Sequence, residues 1–136
     1  MSITPDSYRS AYRPQHPRAT ASGCVQAHIL IAERALGRHL PAGAQVHHVD
    51  GNKQNNATTN LVICQDAAYH KLLHARMRVV RAGGNPNTQK VCCDCLLVQD
   101  LSAFNVMQSN KSNGRQSACR ECSKERDKKK RARLAA

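Results

Sequence analysis

The sequence predicts an α+β protein: a small strand-and-helix core, then a cysteine-rich module, then a basic tail. Three observations predict it. Two short β-type runs, Gln45 to Val49 and Leu61 to Cys64, stand between stretches of helical periodicity, Gln26 to Leu36 and a run ending near Arg81. Beyond the Gly- and Asn-rich stretch from Gly83 to Thr88 the composition shifts, and five of the seven cysteines follow. From Arg115 onward nine Lys/Arg oppose three Asp/Glu, a balance of +6 that is half of the chain's net +12.

At 136 residues the chain is one small domain plus an appendage. It has no Trp and a single Phe, Phe104, so its core is thin and a metal or disulfide staple is expected. The excess of positive charge argues for a polyanionic partner, because neutralised phosphates release counterions. No apolar run of about 18 residues is present, and no secretory h-region follows Met1. These features predict a cytoplasmic protein with no membrane partner. In a reducing compartment an odd count of cysteines suggests metal before disulfides.

The elements follow in order. Residues 1–20 read as a flexible basic arm, with Pro5, Pro14 and Pro17 breaking any helix and Arg9, Arg13 and Arg18 between them. Gly23 to Val25 reads as a short strand. The first helix puts Ile29, Ala32 and Leu36 on one face and ends at Gly37, with His28 packed or capping within it. Pro41–Gly43 is a turn before the strand at Gln45. Asp50–Gly51–Asn52 is another, with Asp50 read as a turn residue rather than a ligand. Asp66 is an N-cap for the second helix, whose apolar side holds Leu72, Leu73, Ala75, Val79 and Val80 and which Gly83, Gly84 and Pro86 stop. The expected organisation is an arm (1–20), a core (21–82), a linker (83–90), a module (91–123) and a basic tail or helix (124–136).

Four of the seven histidines fall within "VHHVDGNKQNNATTNLVICQDAAYHKLLH", residues 46–74. His70 and His74 are spaced i,i+4, so both project from one helix face, a spacing that a tetrahedral metal accepts. His47 and His48 are adjacent on a strand and point to opposite faces. One of the pair can bind metal while the other faces a substrate. A strand histidine plus two helical ones leaves the fourth metal position open, the pattern of a catalytic site. Ordinary solvated or packed histidines would not gather so densely, and a closed structural site would leave the fourth histidine unused.

The stretch "LGRHLPAGAQVHHVDGNKQNNATTNLVICQDAAYHKLLH" resembles the HNH nucleases, particularly small phage-type and homing-type members, over about residues 20–82. The resemblance implies a ββα-metal fold, a hairpin and helix around one divalent ion. It implies that His47 is a metal ligand, that His48 is the general base, and that Asn60, in "NLV", holds the loop and steadies the base. By the pattern of colicin-type members, His70 and His74 become the helical ligands. The chemistry agrees: a histidine titrating near neutrality can take a proton from water, and a divalent ion offsets charge developing on a phosphate. Arg76, Arg78 and Arg81 are candidate phosphate contacts, weighed equally against a solvated face.

"CCDC" and "CREC" form two Cys-x-x-Cys knuckles, Cys92/Cys95 and Cys119/Cys122, a strong signal for one tetrahedral structural zinc. Phe104 in the spacer would form the small core, Cys93 is spare, and Cys24 and Cys64 are small buried residues. This segment resembles the zinc-ribbon modules attached to phage HNH and endonuclease VII-like proteins, which carry a basic helix after the second knuckle. Lys128, Lys129, Lys130 and Arg131 are the DNA contacts expected there. The sequence thus predicts a DNA endonuclease or nickase using one divalent metal (Mg, Mn, Ni or Zn) and one structural Zn. The alternative is a zinc-dependent DNA-binding or regulatory protein with an inactive core. The partners are DNA and, for a phage-type chain, a packaging assembly or other protein.

Overall fold

The computed structural model describes residues 8–136. Two compact units divide within a continuous helix, one up to His70 and the other from Lys71 onward.

In the first unit, β1 (Ser10–Tyr12) pairs antiparallel with β2 (Cys24–Gln26), Ala11 lying opposite Val25. Helix α1 (Ala27–Leu36) follows directly and closes on Gly37, whose φ of 74° is left-handed backbone that favours glycine. A hairpin of β3 (Gln45–His48) and β4 (Leu61–Cys64) pairs His47 with Val62 and His48 with Leu61. Helix α2 (Ala67–Arg81) starts where Asp66 Oδ1 accepts the Tyr69 N–H at 2.8 Å, the capping bond its sequence predicts. A mixed α/β architecture with a hairpin leading into a helix is therefore present, as expected.

The core beneath this hairpin is made of small side chains, Ala32, Leu40, Ala44 and Val46, with Ile29 and Leu61 packed against it. The apolar face expected on α1 is corrected here. The helix buries His28, Ala32 and Glu33, while Leu36 is exposed. Polar partners cause this rotation: Glu33 accepts the Leu40 N–H at 2.9 Å and meets two histidines.

The expected arm is also corrected over its described part, residues 8–20. Besides β1, it contains Arg18, whose guanidinium donates to Ala44 O at 2.9 Å and Pro41 O at 2.7 Å and so ties down the turn before β3. Prolines forbid helix there, but they do not prevent a strand and a tethered loop. Residues 1–7, including Pro5, lie outside the described residues.

In the second unit, α2 runs on to Arg81. Gly84 N–H donates to Val79 O at 2.9 Å, and a Cβ on Gly84 would meet Val79 and Val98 below 3.0 Å, so the chain needs glycine to pass. Strands β5 (Gln89–Val91) and β6 (Val98–Asp100) form a second hairpin, its first strand beginning within the expected linker. Helix α3 (Arg120–Leu134) starts inside the expected module and continues through the basic tail. The core is Cys92, Phe104, Ala118 and Cys119, with Phe104 only 1% exposed.

Candidate functional site

Strand β3 sends its two histidines to different neighbours. The His47 ring lies 5.1 Å from that of His70, edge to face. The ligand atoms of His47, His70 and His74 all fall within 4.8 Å of one another. His70 and His74 owe this to their one-turn spacing on α2, and His47 to its position beside the start of that helix.

Gln45 Oε1 lies 2.6 Å from His70 Nδ1. An amide oxygen can only accept, so Nδ1 carries the proton and the Nε2 lone pair is the ligating one. Three imidazoles, one of them oriented by an amide, fit a divalent ion of the Zn, Ni or Mn kind and leave room in its coordination sphere. Gln45 escapes a reading of the sequence for ligands, although its period-2 relation to His47 places both on one strand face.

His48 points elsewhere. It is 6% exposed, its ring lies 5.0 Å from His28, and its Nε2 lies 3.1 Å from Asn56 Oδ1. His28 stacks in turn on Tyr8 at 4.7 Å, and its Nδ1 is buried without a hydrogen bond. Burial first, then the nearby His48 and His70, lower the His28 pKa to about 4, so it is neutral at pH 7.

The loop between β3 and β4 is organised around Asp50. Its carboxylate accepts from Asn52 N–H at 2.8 Å, Asn55 Nδ2 at 2.7 Å and Asn60 Nδ2 at 2.9 Å. These bonds, that of Asn55 foremost, hold its carboxyl below the usual range. Asn60 Oδ1 accepts the Asp50 N–H, and its Nδ2 also reaches Asn55 O. Asn60 therefore binds the loop, and the residue touching the His48 ring is Asn56.

A second cluster joins His16, Glu33 and His39, with Glu33 Oε2 at 2.6 Å from His16 Nε2 and 3.1 Å from His39 Nδ1. Its residue types suit a metal, but its hydrogen bonds do not. Arg18 N–H donates to His16 Nδ1 at 3.1 Å, which makes Nδ1 the acceptor and Nε2 the protonated nitrogen aimed at Glu33. An ion at Nε2 would require the opposite tautomer. The cluster is a polar latch between the segment before β2 and α1, and a lone glutamate carries no sequence signal of it.

In the cysteine module, the Sγ atoms of Cys92, Cys95, Cys119 and Cys122 lie within 4.8 Å of one another, while Cys93 is exposed and turned to Asp94. Burial would raise the Cys92 thiol, but N–H bonds from Cys119, Cys95 and Asp94 outweigh it and bring it down to about 6. Cys122 is pushed up to about 12, chiefly by its hydrogen bond with Cys119. Four sulfurs this close cannot all ionise without a cation among them, and this donor set fits a zinc module.

The expected DNA contacts differ in freedom. Arg76 is bonded to Asn87. Arg78 lines an open cavity of about 790 Å³ with Lys71, His74 and Lys90. Lys128, Lys129, Lys130 and Arg131 are exposed on α3, which buries no residue. A helix polar all round is built to meet solvent or a charged partner.

Comparison with known proteins agrees with the histidine hairpin. A family model described as HNH endonuclease matches residues 25–68, under half of the chain. The matched segment includes His47, His48 and Asn60 and ends before His70. The resemblance seen in the sequence thus holds for this segment and carries with it a nuclease type of function. No curated protein and no solved structure matches the chain. Among the described residues no helix is long and apolar enough to cross a membrane.

Proposed function

We propose that the chain is a metal-dependent DNA endonuclease or nickase with His48 as general base and His47, His70 and His74 as metal ligands. The observation that carries this reading is the parting of the histidine pair. His47 joins the two helical histidines, while His48, next to it in sequence, is held apart by an amide and a neutral histidine. A structural site would have no use for that second, separately oriented imidazole.

In the reaction, His48 takes a proton from water. The water oxygen forms a bond to phosphorus as the bond from phosphorus to the sugar oxygen breaks. A divalent ion on the three histidines supplies charge neutralisation at the phosphate. The loop hub at Asp50 and Asn60 holds the strand end that carries the base. Cys92, Cys95, Cys119 and Cys122 hold a structural zinc, and the α3 cations Lys128, Lys129, Lys130 and Arg131 track phosphates, with Arg76, Arg78 and Arg81 as further contacts.

Plasmid cleavage across a series of divalent metals tests the reading. Cleavage should require metal, and His48→Ala should lose roughly 10²-fold or more while still binding metal and DNA. DNA binding with no cleavage in any metal would instead support a binding protein with an inactive core, and wild-type rates in His48→Ala would remove the base.

A further inference from the structure

We propose that Asn56 is the positioning residue of the base: its Oδ1 accepts the Nε2–H of His48, fixes that tautomer, and leaves Nδ1 as the nitrogen that takes the proton from water. The inference rests on the proposed role of His48 and goes beyond it in naming the atom that acts and the side chain that selects it.

The hydrogen bonds of the loop divide its asparagines by task. Asn60 is saturated, with Oδ1 on the Asp50 N–H and Nδ2 shared between Asp50 and Asn55 O, each at 2.9 Å. Asn55 is pinned on both sides of its amide, donating to Asp50 and accepting the Ala57 N–H at 3.3 Å. Pinning Asn55 fixes the backbone of its neighbour. Asn56 then stands half-buried with its amide oxygen 3.1 Å from His48 Nε2.

A carbonyl oxygen has no proton to give, so the shared proton belongs to the imidazole. Neutral imidazole has one N–H, and placing it on Nε2 leaves the lone pair on Nδ1. The His28 ring, edge to face at 5.0 Å, and Tyr8, at 6.0 Å, flank the same imidazole and limit its rotation.

The test uses the full chain and two isosteric variants. Asn56→Leu keeps the shape and removes the acceptor, whereas Asn56→Asp keeps an acceptor and removes the amide donors. Nitrogen-15 spectra of the His48 ring report the tautomer independently of any cleavage. Wild type and Asn56→Asp should show Nε2–H, and Asn56→Leu should lose that preference with an unchanged melting temperature. In cleavage, Asn56→Leu should lower kcat roughly 10- to 100-fold, the usual cost of removing a group that orients a working histidine, with KM within about twofold. Asn56→Asp should stay within about threefold of wild type.

A wild-type ring protonated on Nδ1 would overturn the proposal, as would an Asn56→Leu protein with the wild-type tautomer. A changed tautomer with unchanged kcat in an active enzyme would remove the catalytic part. If the wild type cleaves no DNA, the earlier reading of function fails, while the spectra still decide whether Asn56 holds the ring.

Discussion

The histidine hairpin and the cysteine module both gather metal-binding side chains, but they embed them differently. In the module the candidate ligands are the core: Cys92 and Cys119 are buried with Phe104 and Ala118, and little else apolar is covered. In the hairpin the core is Ala32, Leu40, Ala44 and Val46, none of which is a ligand, and the histidines stand beside it with exposure rising from buried His47 through half-buried His70 to exposed His74. The first arrangement makes metal a condition of folding. The second lets a site sit on a frame held by strand pairing, the Asp50 loop and the Glu33 latch.

Removing zinc from the module should break this comparison open with the largest effect. Structural zinc contributes on the order of 10 kcal/mol or more in small domains. In the full chain, Cys119→Ser with Cys122→Ser should lose the amide spectrum of β5 and β6, while β3, β4 and α1 keep theirs. Retention of a folded second hairpin without metal would show that Phe104 and its neighbours suffice. Loss of both hairpins together would show that the two units are not independent.

A smaller effect, confined to the hairpin unit, concerns pH. His28 has an ordinary value near 6.5 when unfolded and one of about 4 when folded. Between those values the unfolded chain binds the extra proton, so stability falls as pH drops from about 6.5 toward 4, by roughly 3 kcal/mol if the full shift applies. Below pH 4 this contribution is fully lost. Melting temperatures across that window should fall more steeply for wild type than for His28→Leu, and equal slopes would refute the burial argument.

The smallest effect separates fold from charge. Replacing Lys128, Lys129, Lys130 and Arg131 with Gln should leave both units folded, because α3 buries nothing. DNA affinity should weaken, and its log–log salt slope should flatten by about 0.9 for each phosphate that is no longer neutralised. An unchanged slope would assign phosphate binding to other cations, with Lys71, Arg78 and Lys90 around the cavity of the second unit the next to test.

Much of the frame is legible in the sequence because its signals are local. The β-type runs, the Asp66 cap and the glycines after α2 each act within a few residues. Periodicity misplaces the face of α1 because it counts apolar residues, whereas Glu33 and His28 are drawn inward by partners outside the helix. The arm misleads for a related reason. Its prolines and arginines resemble a solvated terminus, but Arg18 finds carbonyls at Pro41 and Ala44, more than twenty residues away.

The candidate ligand sets can be read from spacing alone, because two Cys-x-x-Cys knuckles and an i,i+4 histidine pair are fixed by the pitch of the backbone that carries them. The same holds for the opposed directions of His47 and His48, since neighbouring side chains on a strand must alternate. Packing in three dimensions settled the rest: which face received which neighbour, which asparagine among four in one loop reaches the His48 ring, and that Glu33 closes a latch rather than a metal site. Those outcomes depend on single hydrogen bonds between side chains that folding brings together. Such bonds set a tautomer or orient a ring, and they leave no period or spacing in the sequence from which they can be read.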